Sequence, residues 1–377
     1  MNSRERVEAC LNYKPYDRLP VVHFGFWGDT LKKWVEEGFI DKQLKTKDVV
    51  RKLGFDFGWA DSLCFKPKVD LDPAFERKVI EELPDGTRKV INVEGVVVLE
   101  KDDARGIPPE IDHLLKGRKE WEEHYLPKLQ FSEDRISKAP VYTENGPLPF
   151  GEGGLEYLEK TARTYPYGIH CGSLFGVIRD WLGIVGAAYL MVDDEPLLDE
   201  IIETVAELGY RCTETVLKTG VKFDYGHFWE DICFKNGPLV APKFFEEKAG
   251  LHYRRITKLL NQHGIELVSL DCDGLVDALI PTWVNNGVNT MFPIEVGTWN
   301  ASIKPWREKY GKKLRGVGGM DKKIFSKDYA AVDKEIERLK PLVALGGYIP
   351  CPDHRIPPDA KWENVQYYCD KMKKTFC

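Results

Sequence analysis

The 377-residue chain has little to tie it to nucleic acid, membranes or disulfide chemistry. It has no basic excess: 54 Lys and Arg stand against 60 Asp and Glu, a formal net charge of −6. Without a basic stripe to neutralise phosphates, no nucleic-acid partner is expected. The longest apolar stretch, around Trp181–Val192, is too short to cross a bilayer, so no membrane partner is expected either. Met1–Arg6 is charged and lacks the apolar core of a signal peptide. The nine cysteines are odd in number and never in C-x-x-C spacing, which reads as reduced thiols in a cytoplasmic protein. No P-loop, HExxH, EF-hand loop or nucleophile elbow is present, and no G-x-G-x-x-G follows a strand-like run. Internal repeats and low-complexity segments are also missing.

What is present is an alternation of strand and helix patterns. Strand-like runs occur at Leu19–Phe24, Phe55–Ala60, Tyr167–Cys171, Phe223–Phe228, Leu267–Asp271, Thr290–Ile294, Leu314–Val317 and Tyr348–Cys351. Helical patterns follow them, and Ser3 is expected to cap a first helix over Asn2–Asn12. Such alternation implies right-handed crossovers and parallel pairing. The expectation is an α/β fold, a single (β/α)8 TIM barrel occupying 1–377 as one domain. An antiparallel β-meander is expected as an insert at about 76–103, between strands two and three. Extra helices should follow it over Pro108–Arg163.

A barrel places chemistry where strands meet their following loops. Those places carry His23–Asp29, Asp56–Asp61, His170–Ser173, His227–Asp231, Asp271–Gly274, Phe292–Glu295, Gly318–Lys322 and Cys351–Arg355. Carboxylates crowded on one rim repel one another unless a proton or cation sits among them. His354, Asp271 and Glu230 are therefore the catalytic candidates, with Asp271, Asp273 and His354 as candidate metal ligands. Glu230 and Asp231 could instead cap the following helix, and one of Asp271 and Asp273 could serve the turn at Gly274. Trp27, Asp61, Trp229, Arg179 and Lys235 are the substrate-binding candidates. Phe26 and Phe228 should join the two tryptophans in lining an apolar cleft, unless they pack sideways against helices.

Several segments together resemble the uroporphyrinogen decarboxylase superfamily: Arg4–Val7 with Asp17–Val21, Gly172–Gly183, Asn236–Pro242 and Gly347–Pro358. The resemblance implies one of two chemistries on a barrel. One is cofactor-free decarboxylation of uroporphyrinogen. The other is zinc-dependent methyl transfer between a corrinoid protein and a thiol, or a related demethylation. The decarboxylase carries Met-Arg-Gln-Ala-Gly-Arg after its first strand, whereas His23–Asp29 contains no arginine. The methyltransferases carry His-x-Cys-Gly after the fifth strand; Asp271 stands in place of that histidine and Asp273 in place of that cysteine. His354 falls where they have a cysteine and the decarboxylase a histidine. The resemblance thus favours a methyltransferase-like enzyme moving a methyl group between a small substrate and a corrinoid protein. It implies a divalent metal such as zinc, a corrinoid carried by the partner, and a homodimer. Decarboxylation of uroporphyrinogen or another carboxylated substrate is the alternative, with Asp61 or Asp271 steadying a cationic intermediate. A non-catalytic tetrapyrrole- or corrinoid-binding module is the third reading.

Overall fold

The structure is a computed structural model that describes residues 1–102, 106–143 and 145–377. The eight strands foreseen are all present: β1 (Val22–His23), β2 (Phe57–Gly58), β3 (Gly168–Gly172), β4 (Tyr225–Trp229), β5 (Leu267–Asp271), β6 (Thr290–Ile294), β7 (Arg315–Met320) and β8 (Tyr348–Pro352). The strands β3 to β8 form one parallel sheet in chain order. They are almost wholly buried, which fits runs covered on both faces rather than alternating with solvent.

The expectation of a single closed barrel needs correction. The pair β1 and β2 is a separate two-stranded parallel sheet, and no ladder joins it to the six-stranded one among the described residues. The reason lies in the second strand. After Gly58 a short helical turn over Ala60–Ser62 interrupts it, and the chain resumes extended pairing only at Phe65, in an isolated bridge with Ile169. At the other seam, Phe26 makes an isolated bridge to Ile356.

The long helix Glu195–Lys218 starts at Asp194, whose carboxylate accepts the Leu197 N–H at 3.1 Å, and it buries Leu197, Leu198, Ile201, Ile202 and Val205. Each such side chain stabilises the fold by about 1.5–3 kcal/mol. The first helix, Ser3–Leu11, is capped by Asn2 and not by Ser3. Glu5 explains the difference: the Asn2 side chain accepts the Glu5 N–H while Glu5 accepts the Asn2 N–H, a reciprocal pair that Ser3 has no partner to make. The insert is a four-stranded antiparallel sheet, Lys78–Glu82, Arg88–Ile91, Val96–Glu100 and Glu110–His113, the last strand lying beyond the expected bound of about 103. Within Pro108–Arg163 the helices expected are short, and a hairpin of Pro140–Thr143 with Gly146–Pro149 joins them. Among the described residues no helix is long and apolar enough to cross a membrane.

The helix Gly176–Asp193 is locked to the end of β4 at its first turn. Buried Glu230 accepts the backbone N–H groups of Leu174, Phe175 and Gly176 at 2.7–2.9 Å, and Gly176 packs directly on the Glu230 carbonyl. A carboxylate here also sits favourably in the helix dipole. A Cβ at position 176 would lie 1.9 Å from the Glu230 oxygen. Gly176→Ala should therefore destabilise the protein by roughly 3 kcal/mol or more in chemical denaturation, because backbone on both sides must shift. A wild-type denaturation midpoint would show that this junction is looser than described.

Candidate functional site

Side chains alternate across a strand. Along β4, Tyr225, His227 and Trp229 take the inner face, while Phe228 packs outward on Tyr253. Beyond the strand Glu230 is outward and Asp231 inward. Asp231 has φ +45°, a left-handed conformation that aspartate tolerates better than most residues. The Glu230 N–H continues the ladder to the Asp271 carbonyl at 2.9 Å, and Asp231 accepts the Asp273 N–H at 2.9 Å.

The result is a cluster of three carboxylates, Asp231, Asp271 and Asp273, each offering an oxygen within 4.8 Å of the others. His354, beyond β8, brings Nε2 to 3.5 Å from Asp273. The six-stranded sheet thus curls far enough for the loop after its edge strand to meet the loop after β5. The His354 ring is held between Phe24 and Trp27, with centroids 4.9 and 5.8 Å away. Asp273 Oδ1 is buried without a hydrogen-bond partner among the described residues, an unusual cost for a carboxyl oxygen.

The charges are mutually unfavourable. Burial, then Asp231 and Asp273, push the Asp271 carboxyl well above its ordinary range, against the opposing pull of Arg355 and Lys66. Burial and Asp273 push Asp231 up to about 6. Glu295 is raised by burial and by Asp273, and it accepts the Gly274 N–H at 2.5 Å and the Thr298 hydroxyl at 2.8 Å. Asp353, fully buried, accepts the Gly297 N–H at 2.6 Å and faces Lys322 Nζ at 3.6 Å. These last two acids fix the loops around the cluster. Three carboxylate oxygens and an imidazole are hard-to-borderline donors, a set that fits a divalent cation and is less suited to thiolate chemistry at zinc.

Of the residues singled out from the sequence, Asp271, Asp273, His354 and Trp27 come together. Glu230 does not: it is turned into the wall, bound also by the Tyr253 hydroxyl and by Ser173 Oγ at 3.2 Å, with burial raising its carboxyl and these donors pulling it back. Asp231 takes its place. The signal was the inner-face parity of Tyr225, His227 and Trp229, which Asp231 shares and Glu230 does not. Arg179 is not a free cation for substrate, because it pairs with Asp180 at 2.8 Å and donates to the Asp231 carbonyl at 2.9 Å. Lys235 is exposed in the hairpin Cys233–Phe234 with Gly237–Pro238, which covers the turn after Asp273. Asp61 packs on Gly58 and lines a separate cleft along β2. Trp229 is half-buried beside Asp271 in the ladder. Phe26 packs on His23 and Trp34, so it and Phe228 lie sideways and do not line a cleft. Phe24, which stacks on both His354 and Phe292, was missed as a site residue.

No protein-family model matches the chain, and no curated protein sequence matches it. Solved structures do. A methyltransferase from Methanosarcina mazei is similar over 99% of both chains, with a TM-score of 0.59 and 14% identity. A proposed vitamin-B12 independent methionine synthase from Listeria monocytogenes is similar over 58% of this chain and 68% of its own, at 13% identity and a TM-score of 0.35, too low to carry an argument. The first likeness establishes a methyltransferase-like α/β fold.

The raised carboxyls link the cluster to stability. The folded protein holds these protons more tightly than the unfolded chain does. The stability tied to Asp231 is therefore complete below its unfolded value of about 4 and is lost as pH rises through about 6. With chelator present, the melting temperature should fall more steeply between about pH 4 and about pH 6 in wild type than in Asp231→Asn. Identical slopes in the two proteins would contradict the repulsion.

Proposed function

We propose that the chain is a methyltransferase-like enzyme working on a small methylated molecule, with the methyl group exchanged with a corrinoid protein. We read its two parallel sheets as arcs of one barrel, and the cluster at the strand ends as the reaction centre. The observation that carries this reading is the convergence of Asp231, Asp271 and Asp273 beside His354, in a fold similar to a methyltransferase.

The three aspartates would hold a divalent cation, and the unpartnered Asp273 oxygen is the atom most in need of one. When bound, such an ion supplies Lewis acidity to a substrate oxygen, nitrogen or sulfur. His354 is oriented by Phe24 and Trp27 and set against Asp273, so its Nε2 can hold the proton that the demethylated atom gains or loses. Glu295 and Asp353 keep the loops in place through backbone N–H groups.

A second reading, decarboxylation of a carboxylated substrate, draws support from the raised Asp231 and Asp271, which without a cation hold their protons to higher pH than ordinary carboxyls do. The two readings separate in one set of assays. The chelated protein should take up a divalent cation, and Asp271→Ala and His354→Ala should each weaken that uptake by about tenfold or more while melting near wild type. Methyl transfer from a panel of methylated amines, ethers and thioethers to cob(I)alamin should be lost in both variants. With uroporphyrinogen or another carboxylated substrate assayed alongside, carbon dioxide release without methyl transfer would favour decarboxylation, and full methyl-transfer activity in both variants would remove the cluster from the mechanism.

A further inference from the structure

One layer deeper than the carboxylates, the inner face changes character from oxygen to nitrogen. His170 of β3 is the register partner of His227 in β4, and His227 that of Ser269 in β5. The two imidazoles are 6.3 Å apart between centroids, and His227 Nδ1 lies 3.2 Å from Ser269 Oγ. The segment after β2 extends this row. Phe65 bridges Ile169, and its carbonyl accepts the His170 N–H at 3.0 Å. Phe65 buries its ring against Phe150 and Phe223, so Lys66 takes the opposite face, the one that His170 occupies.

We propose that Lys66, His170 and His227 form an oxyanion-binding floor beneath the strand-end centre. It takes the carboxylate, or another small oxyanion, of a substrate whose reacting end lies against Asp231, Asp271 and Asp273.

Lys66 is exposed, shares with Asp61 the cleft of about 580 Å³ along β2, whose walls do not include the two histidines, and belongs to no ion pair with a described residue. Its field falls on His170, His227, Asp61 and Asp271. Burial and the Lys66 charge push His170 down to about 3, and burial, His170 and Lys66 lower His227 further, so both rings are neutral. A neutral imidazole still donates one N–H. His227 Nδ1 shares a hydrogen bond with Ser269 Oγ, and the tautomer in which the hydroxyl donates carries the His227 proton on Nε2, its other polar atom. An ammonium whose field reaches two such donors from the same face is a set suited to an anion, and it lies deeper than the cluster that would hold a cation. Asp271 is two residues beyond Ser269 on the same face, which places the floor about 7 Å below the carboxylates. That spacing suits a small molecule with its oxyanion a few bonds from the reacting atom. The placement of that reacting end rests on the function proposed above; the anion site does not.

The test uses the full chain labelled with 15N-histidine, titrated with acetate and separately with inorganic phosphate at constant ionic strength. Imidazole signals are assigned through His170→Asn and His227→Asn. At least one anion should shift the His170 and His227 signals saturably, and the arm that does so identifies the oxyanion as carboxylate-like or phosphate-like. Lys66→Gln should weaken that binding about tenfold, Lys66→Arg should retain it, and Lys68→Gln, which removes a lysine paired with Asp72 at 3.1 Å, should leave it unchanged. No saturable shift with either anion, or equal affinity in Lys66→Gln, overturns the proposal. Calorimetric titration of the same proteins with Mn2+ keeps the two ideas apart. Anion binding without Mn2+ binding would sink the cation centre and leave the floor standing, and the reverse result would do the opposite.

Discussion

The site depends on a single buried carboxylate that takes no part in its chemistry. Glu230 spends its oxygens on three backbone N–H groups at the start of the helix Gly176–Asp193, on Ser173 and on Tyr253. These bonds fix the peptide after β4, and strand alternation then sends the next side chain, Asp231, inward. Its left-handed backbone and its bond from the Asp273 N–H complete the turn. Two adjacent acids thus have opposite fates: one is satisfied as structure, the other is driven into a cluster of mutually repelling carboxylates.

That dissatisfaction is the chemical content of the centre. Three carboxylates within reach of one ion repel one another, and a proton or a cation among them relieves that repulsion. Arg355 and Lys66 pull in that direction but do not cancel the burial and mutual repulsion on Asp271. Arg179, which could have neutralised Asp231, is committed to Asp180 and a carbonyl. The remaining compensation must come from protons or from a bound cation. The surrounding acids Glu295 and Asp353 contrast with the cluster, since backbone N–H groups and a lysine already satisfy them.

Much of this was legible in the sequence. The parallel strands are buried on both faces, so Leu267–Asp271 and Thr290–Ile294 read as mainly apolar runs, and both match the observed strands to the residue. Asp271, Asp273 and His354 could be marked because each follows such a run. What stayed hidden depended on pairing rather than pattern. The break after Gly58, which leaves β1 and β2 as a separate pair, looks like ordinary strand-end sequence. The hairpin at Pro140–Pro149 is masked by its prolines, which argue against strands. Glu230 and Asp231 are indistinguishable by composition, and only the inner-face parity of β4 separates them. Lys66 follows an interrupted strand, so its inward direction needed the bridge between Phe65 and Ile169.

The account stands or falls on whether the three aspartates are a cation site. Crystals of the chelated protein soaked in Mn2+ would give the most direct answer through anomalous diffraction. The account predicts one strong anomalous peak within bonding distance of carboxylate oxygens from Asp231, Asp271 and Asp273. A saturating soak that leaves no peak there, with the three side chains ordered and in place, would contradict it.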